Sequence, residues 1–180
     1  MNTLKEWATV VSALESGDQV VLLRKGGILE AASGFVMESK RFFLFPTFEH
    51  QVRQSIKPEF HKYLEFVKDK QLDGKNTITS FADVLAEVDL TSEEGIKKLS
   101  EFHIWSESYV KTRIGWMPQK ALKAIFLKTY KMPAFVIPLK PEYQGCKSWI
   151  NINANFDDAK PVLDDAVLES RLQKFREIVN

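Results

Sequence analysis

Few residues of the chain are fit for chemistry, and the first to consider are Glu49 and His50 in Leu44-Phe-Pro-Thr-Phe-Glu-His-Gln51. A carboxylate beside an imidazole suits general acid–base work. Direct adjacency does not. Neighbours on a strand point to opposite faces, and on a helix of about 3.6 residues per turn they diverge by roughly 100°. The stretch therefore reads first as a strand exit, with His50 as a candidate hydrolase residue acting without Glu49. A second chemistry is that of restriction-type nucleases, which follow one acidic residue with Glu-x-Lys or Asp-x-Lys. Glu38-Ser-Lys40, with Glu30 upstream, has the right context at a strand end. There Glu30 and Glu38 would hold Mg²⁺ and Lys40 would orient water or stabilise charge. Asp73-Gly-Lys75 and Asp158-Ala-Lys160 repeat the triplet elsewhere, as chance allows in a chain this rich in acids and lysines. Apart from that Mg²⁺ no cofactor is expected. Three scattered histidines and one cysteine match no zinc spacing. Cys146 has Lys147 beside it, which favours a thiolate, but a lone cysteine leading into a strand is usually a small buried hydrophobe. Gly26-Gly27 is too short for a phosphate-binding loop and reads as a tight turn. Its amides, with Arg24 and Lys25 adjacent, could approach an anion.

Charge is distributed unevenly. The net charge is +1, yet residues 105–150 hold eight Lys and Arg against two Asp and Glu. The same segment holds three of the four tryptophans and three of the four tyrosines. Lysines can follow a phosphate backbone while aromatic faces stack on bases. The plainer alternative puts the aromatics in the core of strands and the lysines on wet faces.

The elements that must position these residues follow from spacing. Thr3-x-x-Glu6 has the form of a capping box, and Trp7, Val10, Val11 and Leu14 continue it as a helical stripe ended by Gly17, so residues 4–16 are predicted helical. Residues 19–25 read as a strand, and residues 34–38 and 41–45 as a hairpin ended by Pro46. A helix is expected around residues 60–67 after Pro58, and a strand over 84–90. Thr91-x-x-Glu94 opens another helix, and residues 106–114 form a further short one. Strands follow at 122–131, 134–139 and 147–152, split by Met132-Pro133, with a terminal helix near Asp164 or Asp165. The pattern lacks regular strand–helix alternation. It indicates an α+β fold with a mixed or antiparallel sheet or a small barrel. We expect one domain over residues 1–180, with 52–114 partly a helical insertion and 161–180 a C-terminal helix. No apolar run is long enough to span a membrane. One cysteine and no secretory segment suggest the cytoplasm.

Several blocks resemble an uncharacterised prokaryotic family, the domain of unknown function 1802. They are Lys5-Glu-Trp7, Leu22-Leu-Arg-Lys-Gly-Gly-Ile28 with Glu30, Leu44-Phe-Pro-Thr-Phe-Glu-His50, His103-Ile-Trp105, Arg113 with Trp116 and Pro118, and Tyr143-x-Gly-Cys-x-Ser-Trp149. The resemblance spans about residues 4–152. Some members are joined to restriction-endonuclease-like domains, which implies DNA-related work, though no such domain is recognisable in this chain. The opening helix, Ser16-Gly17, and a strand with Arg24-Lys25 and Glu30 are more distantly similar to PUA-like barrels of the ASCH and EVE type, which include readers of RNA and modified bases. The expectation is a nucleic-acid-binding module for a single-stranded or flipped base. Arg24, Lys25, Arg113 and Lys147 would meet phosphate, and Trp116, Tyr143 and Trp149 would stack. Glu30 or Glu49 would accept a hydrogen bond from a base amino group. The alternatives are a Mg²⁺-dependent nuclease or other hydrolase, and a protein-interaction domain whose exposed aromatics meet a protein partner.

Overall fold

The structure, a computed structural model, describes residues 1–25, 34–90, 92–156 and 158–179. Gly26-Gly27, Glu30 and Thr91 lie outside the described residues. The chain runs β1 (Asn2–Trp7), α1 (Ala8–Glu15), β2 (Val21–Arg24), β3 (Arg41–Thr47), α2 (Lys62–Val67), β4 (Lys75–Leu90), α3 (Glu93–Lys98), α4 (Glu107–Gly115), β5 (Leu122–Pro138), β6 (Trp149–Asn151), β7 (Lys160–Pro161) and α5 (Asp165–Val179). Among the described residues the strands form one mixed sheet in the order β2-β5-β4-β3-β1-β6, with β7 against β5. Of these pairings β1–β3 is parallel and the rest are antiparallel. The fold is α+β, as the element pattern indicates.

The hydrophobic alternation of β3 explains why the sheet is covered on both sides. Phe42 and Leu44 enter the main core, and Phe43 and Phe45 enter a second cluster with Ile78, Phe81, Tyr143 and Ile150. Successive side chains of a strand must face opposite ways, so four consecutive buried residues require cover on each face. Burying each such side chain is worth about 1.5–3 kcal/mol. The helix α1 lies in the main core with Ala8 to Leu14 all buried, which its apolar and small residues on every side permit.

β4 and β5 are the long central pair. Their register shifts between Ile78 and Ser80 and between Val84 and Ala86, and such bulges bend and twist a sheet. Met132-Pro133 falls at the first irregularity, since Ile78 pairs with Phe135 and Ser80 with Lys131. The expected break is therefore a bulge inside one continuous strand. The sheet curls until the ends of its order approach. Arg24 on β2 reaches the Lys5 carbonyl, the Glu6 carboxylate and the Ser148 hydroxyl beside β1 and β6. Phe35 stacks on Trp149 with centroids 6.0 Å apart. Side chains, not a backbone ladder, join these ends among the described residues.

Three local readings are corrected. Residues 2–7 are a strand, not the start of a helix. The Thr3 hydroxyl donates to the Met1 carbonyl, and Glu6 turns to Arg24. Pairing with β3 thus overrides the capping-box pattern. Residues 34–39 are not a strand, so the expected hairpin does not form, and β3 continues through Pro46 to Thr47. Pro46 is tolerated because the pairing of β3 with β4 ends at Phe43, so Pro46 lies where the strand has β1 alone as a neighbour. Finally, the 52–114 segment, expected as a partly helical insertion, contains β4, which is central to the sheet.

At the far end Gly17 follows α1 with φ +76, and a Cβ there would lie 2.6 Å from Leu163 Cδ2. Only glycine meets both demands without strain. Arg171 of α5 donates to the Gly17 carbonyl (2.6 Å), so this turn also seats the last helix.

Candidate functional site

β6 is only three residues long, and its pairing with β1 ends where the Lys5 N–H donates to the Ser148 carbonyl (2.9 Å). Beyond that point the sheet opens into a cleft of about 430 Å³. Lys5, Glu6 and Trp7 come from β1, and Leu23 and Arg24 from β2. Thr47 ends β3, and His50 comes from the turn after it. Trp105, Tyr109, Arg113 and Trp116 come from α4 and its flanks, and Cys146 and Ser148 from the loop before β6.

Each wall has a local cause. Ser106 caps α4 by accepting from the Tyr109 N–H (3.3 Å), and Lys25 holds the other end by donating to the Ile114 carbonyl. Trp105 and Tyr109 therefore stack at 4.3 Å with planes 20° apart, and Trp7 meets Trp105 edge-on at 5.0 Å. Burial raises the Tyr109 phenol pKa above its ordinary 10.0. The Arg113 guanidinium lies 4.9 Å from the Trp116 ring centroid and has no hydrogen bond or ion pair among the described residues. Gln51 fixes the turn that carries His50. Its amide oxygen accepts from the Thr9 N–H (3.2 Å) and hydroxyl at the start of α1, and its amide nitrogen donates to the Thr47 carbonyl (2.9 Å). The tightened turn holds exposed His50 at φ +58, the left-handed region, which histidine enters more readily than most residues.

The Lys5 ammonium donates to the Tyr143 and Gly145 carbonyls, each at 2.8 Å. Burial draws its pKa below the ordinary 10.5, opposed by Glu49 and Cys146 and reinforced by Lys147. Arg24 is clamped between Glu6 Oε2 (3.1 Å) and Ser148 Oγ (2.6 Å). The cleft thus combines three cations, Lys5, Arg24 and Arg113, with aromatic rings and one carboxylate, Glu6.

Of the residues singled out from sequence, Arg24, His50, Arg113 and Trp116 meet here. Glu49 is exposed beside the cleft without lining it, and Lys147 is exposed on the loop next to Cys146. Three assignments are corrected. Lys25 is 2% exposed and serves the end of α4, so it does not face a phosphate. Tyr143 is buried in the second core, with Phe45 at 6.0 Å. Trp149 packs against Phe35 and Phe42 and donates to the Val36 carbonyl (2.9 Å). Those two rings are spent on packing. Most lysines of the basic segment are spent too, with Lys111 on Glu107, Lys123 on Asp89, Lys128 on Asp165 and Lys140 on Glu142. As for the nuclease triplet, Glu38 is exposed and Lys40 pairs with Glu87 (3.3 Å), while Glu30 lies outside the described residues. No group of three His, Cys, Asp or Glu able to hold a metal occurs among the described residues, and none of their helices is long and apolar enough to cross a membrane.

Sequence reasoning missed Lys5, Glu6 and Trp7 as cleft residues because it assigned them to a helix. The available signal was the Lys5-Glu-Trp7 block itself. Every block that carries the family resemblance contributes to this cleft: that one, Leu23 and Arg24, Thr47 and His50, Trp105, Arg113 and Trp116, and Cys146 and Ser148.

No curated protein matches the chain. Among solved structures it is similar to ASCH from Zymomonas mobilis, at 16% identity over 71% of this chain and 66% of that one, with a TM-score of 0.42. It is also similar to a point mutant of that protein, at 17% identity over 70% and 67%, with a TM-score of 0.39. The chain spans just under two thirds of the first of these structures. The chain belongs to the family described as Domain of unknown function (DUF1802), which matches over residues 3–174.

Proposed function

We propose that the protein binds single-stranded nucleic acid and holds one base in the cleft between β1, β2 and α4. The observation that carries this reading is the junction of Trp7 and Trp116 with Lys5, Arg24 and Arg113 around one concavity of about 430 Å³. That volume lies in the range of small-molecule sites, about 300–1,000 Å³. Every base has a π-face, so rings bind without demanding a sequence, at about 1–3 kcal/mol per stacked base. Among the described residues Arg113 has no carboxylate partner, so turning from Trp116 to a phosphate breaks no ion pair among them, and exposed Lys147 extends the positive rim. A duplex base would reach the cleft only after flipping, which costs a few kcal/mol, so unpaired strands are the favoured ligand.

The test is a salt-titrated binding series on single-stranded DNA, single-stranded RNA and duplex, with and without Mg²⁺. We expect unpaired strands to bind more tightly, with affinity falling linearly in log salt by roughly 0.7 per phosphate contacted. Affinity indifferent to salt would overturn the reading. Cleavage that requires Mg²⁺ would replace it with a nuclease.

A further inference from the structure

Glu6 is unusual in a wall made of rings and cations. Its side chain is only 6% exposed, and a buried carboxylate is costly unless charge and hydrogen bonds offset its desolvation. Arg24 and the Trp7 N–H do so: Oε2 accepts from Arg24 Nη1 (3.1 Å) and Oε1 from the Trp7 N–H (2.9 Å). An ionised carboxylate has about four acceptor sites, so these contacts leave about half of them unused. The side chain borders the cleft, and it is the only carboxylate among the described residues that line it. The charged groups around it, Lys5, Arg24 and Arg113, can only donate.

A base entering such a site meets an acceptor that wants N–H. Cytosine, adenine and guanine each carry an exocyclic amino group. Uracil and thymine do not, and their single ring N–H lies between two carbonyl oxygens. Presenting that edge to Glu6 sets carbonyl oxygen against carboxylate, which is repulsive.

We propose that Glu6 is a specificity-determining residue that admits amino-bearing bases and disfavours uracil and thymine. This rests on the single-strand reading above. It assigns to Glu6 the acceptor role that sequence reasoning gave to Glu30 or Glu49. Glu6 also holds Arg24, and a purely structural role would end there. The two roles differ in one readout, base preference.

The experiment measures binding of the full chain to short oligonucleotides of equal length at fixed salt. The pairs are oligocytidine against oligouridine, guanine against hypoxanthine, and adenine against purine, the last two differing by a single amino group. We expect each loss of an amino group to weaken binding about tenfold or more, as for a hydrogen bond to a charged group. In Glu6→Gln the amide keeps the size and one acceptor but adds a donor, so the preference should flatten or turn towards uracil. Equal affinity within the pairs for the unmodified protein overturns the proposal, with no variant needed. An unchanged preference in a Glu6→Gln protein of native melting temperature overturns it as well. Binding without discrimination leaves the single-strand reading standing and removes only the role of Glu6. Absence of binding to every oligonucleotide removes both.

Discussion

Trp116 and Tyr143 are both aromatic residues of the basic segment, and the structure gives them opposite duties. Trp116 borders the cleft under the Arg113 guanidinium, and Tyr143 is 6% exposed in the second core. Trp116→Ala should therefore leave the melting temperature near that of the unmodified protein and weaken single-strand binding by about 1–3 kcal/mol, the worth of one stacked base. Tyr143→Ala should do the reverse. It removes a buried ring, so denaturant titration should show a loss on the order of 3 kcal/mol. Its effect on affinity should be small where the protein remains folded. Equal losses of affinity in the two variants would contradict this division. Composition alone could not have separated the two rings, because the proposed stacking on a base and edge-on packing against Phe45 call for the same residue type. Arg24 and Lys25 show the same limit. They are adjacent and alike in charge, yet Arg24, the last residue of β2, reaches the cleft wall, and Lys25, just past the strand, reaches the end of α4.

The elements that shape the cleft were legible to different degrees. α4 was expected over residues 106–114 from its local pattern, and it forms over Glu107–Gly115 with Ser106 as cap. A cap is written within a few residues, so sequence suffices. β1 was not legible. Thr3-x-x-Glu6 spells a helix start, but Leu4 pairs with Leu44 in β3 and Glu6 with Arg24. Those partners are distant in sequence and invisible to a periodicity argument. The turn after β3 was half legible: its ending near Pro46 and the divergence of Glu49 from His50 were expected. Gln51, which ties the turn to α1, was not recognised. Two substitutions test these element-level roles. Ser106→Ala should cost about 1 kcal/mol of stability, the usual worth of an N-cap hydroxyl, and should weaken binding by loosening Arg113 and Trp116. Gln51→Ala removes an acceptor from the Thr9 N–H of α1 and should cost about 1–3 kcal/mol. It should also broaden the His50 ring signals in an NMR spectrum, since the turn loses its anchor. A sharp, unshifted His50 in Gln51→Ala would refute the anchoring role.

At the scale of the whole molecule, the packing that buries the core also sets how the protein responds to acid. His103 follows the short turn after α3 and is 2% exposed, with neither ring nitrogen hydrogen-bonded among the described residues. Burial, reinforced by the Lys57 ammonium, which donates to the His103 carbonyl (2.7 Å), lowers its pKa from 6.5 to about 3. The folded protein thus holds His103 neutral, whereas the unfolded chain protonates it near pH 6.5. Between these values the unfolded state binds more protons, so stability rises with pH across this window. It is fully present above pH 6.5 and is lost as pH falls towards 3, by up to about 1.4 kcal/mol per unit from this one group. Carboxyls that the fold holds low enter later. Burial pushes the Asp18 pKa up, but hydrogen bonds from Tyr63 and Lys62 outweigh that and leave it below the ordinary 3.8. The upper part of the window therefore reports His103. Urea denaturation at pH 7 and pH 5 should show a marked loss at the lower pH. His103→Leu, which fills much of the same space without a titrating group, should flatten that difference. At pH 7 it should be neutral or stabilising, because it removes two buried polar atoms with no partner among the described residues. The same acid sensitivity in His103→Leu as in the unmodified protein would show that another group controls it.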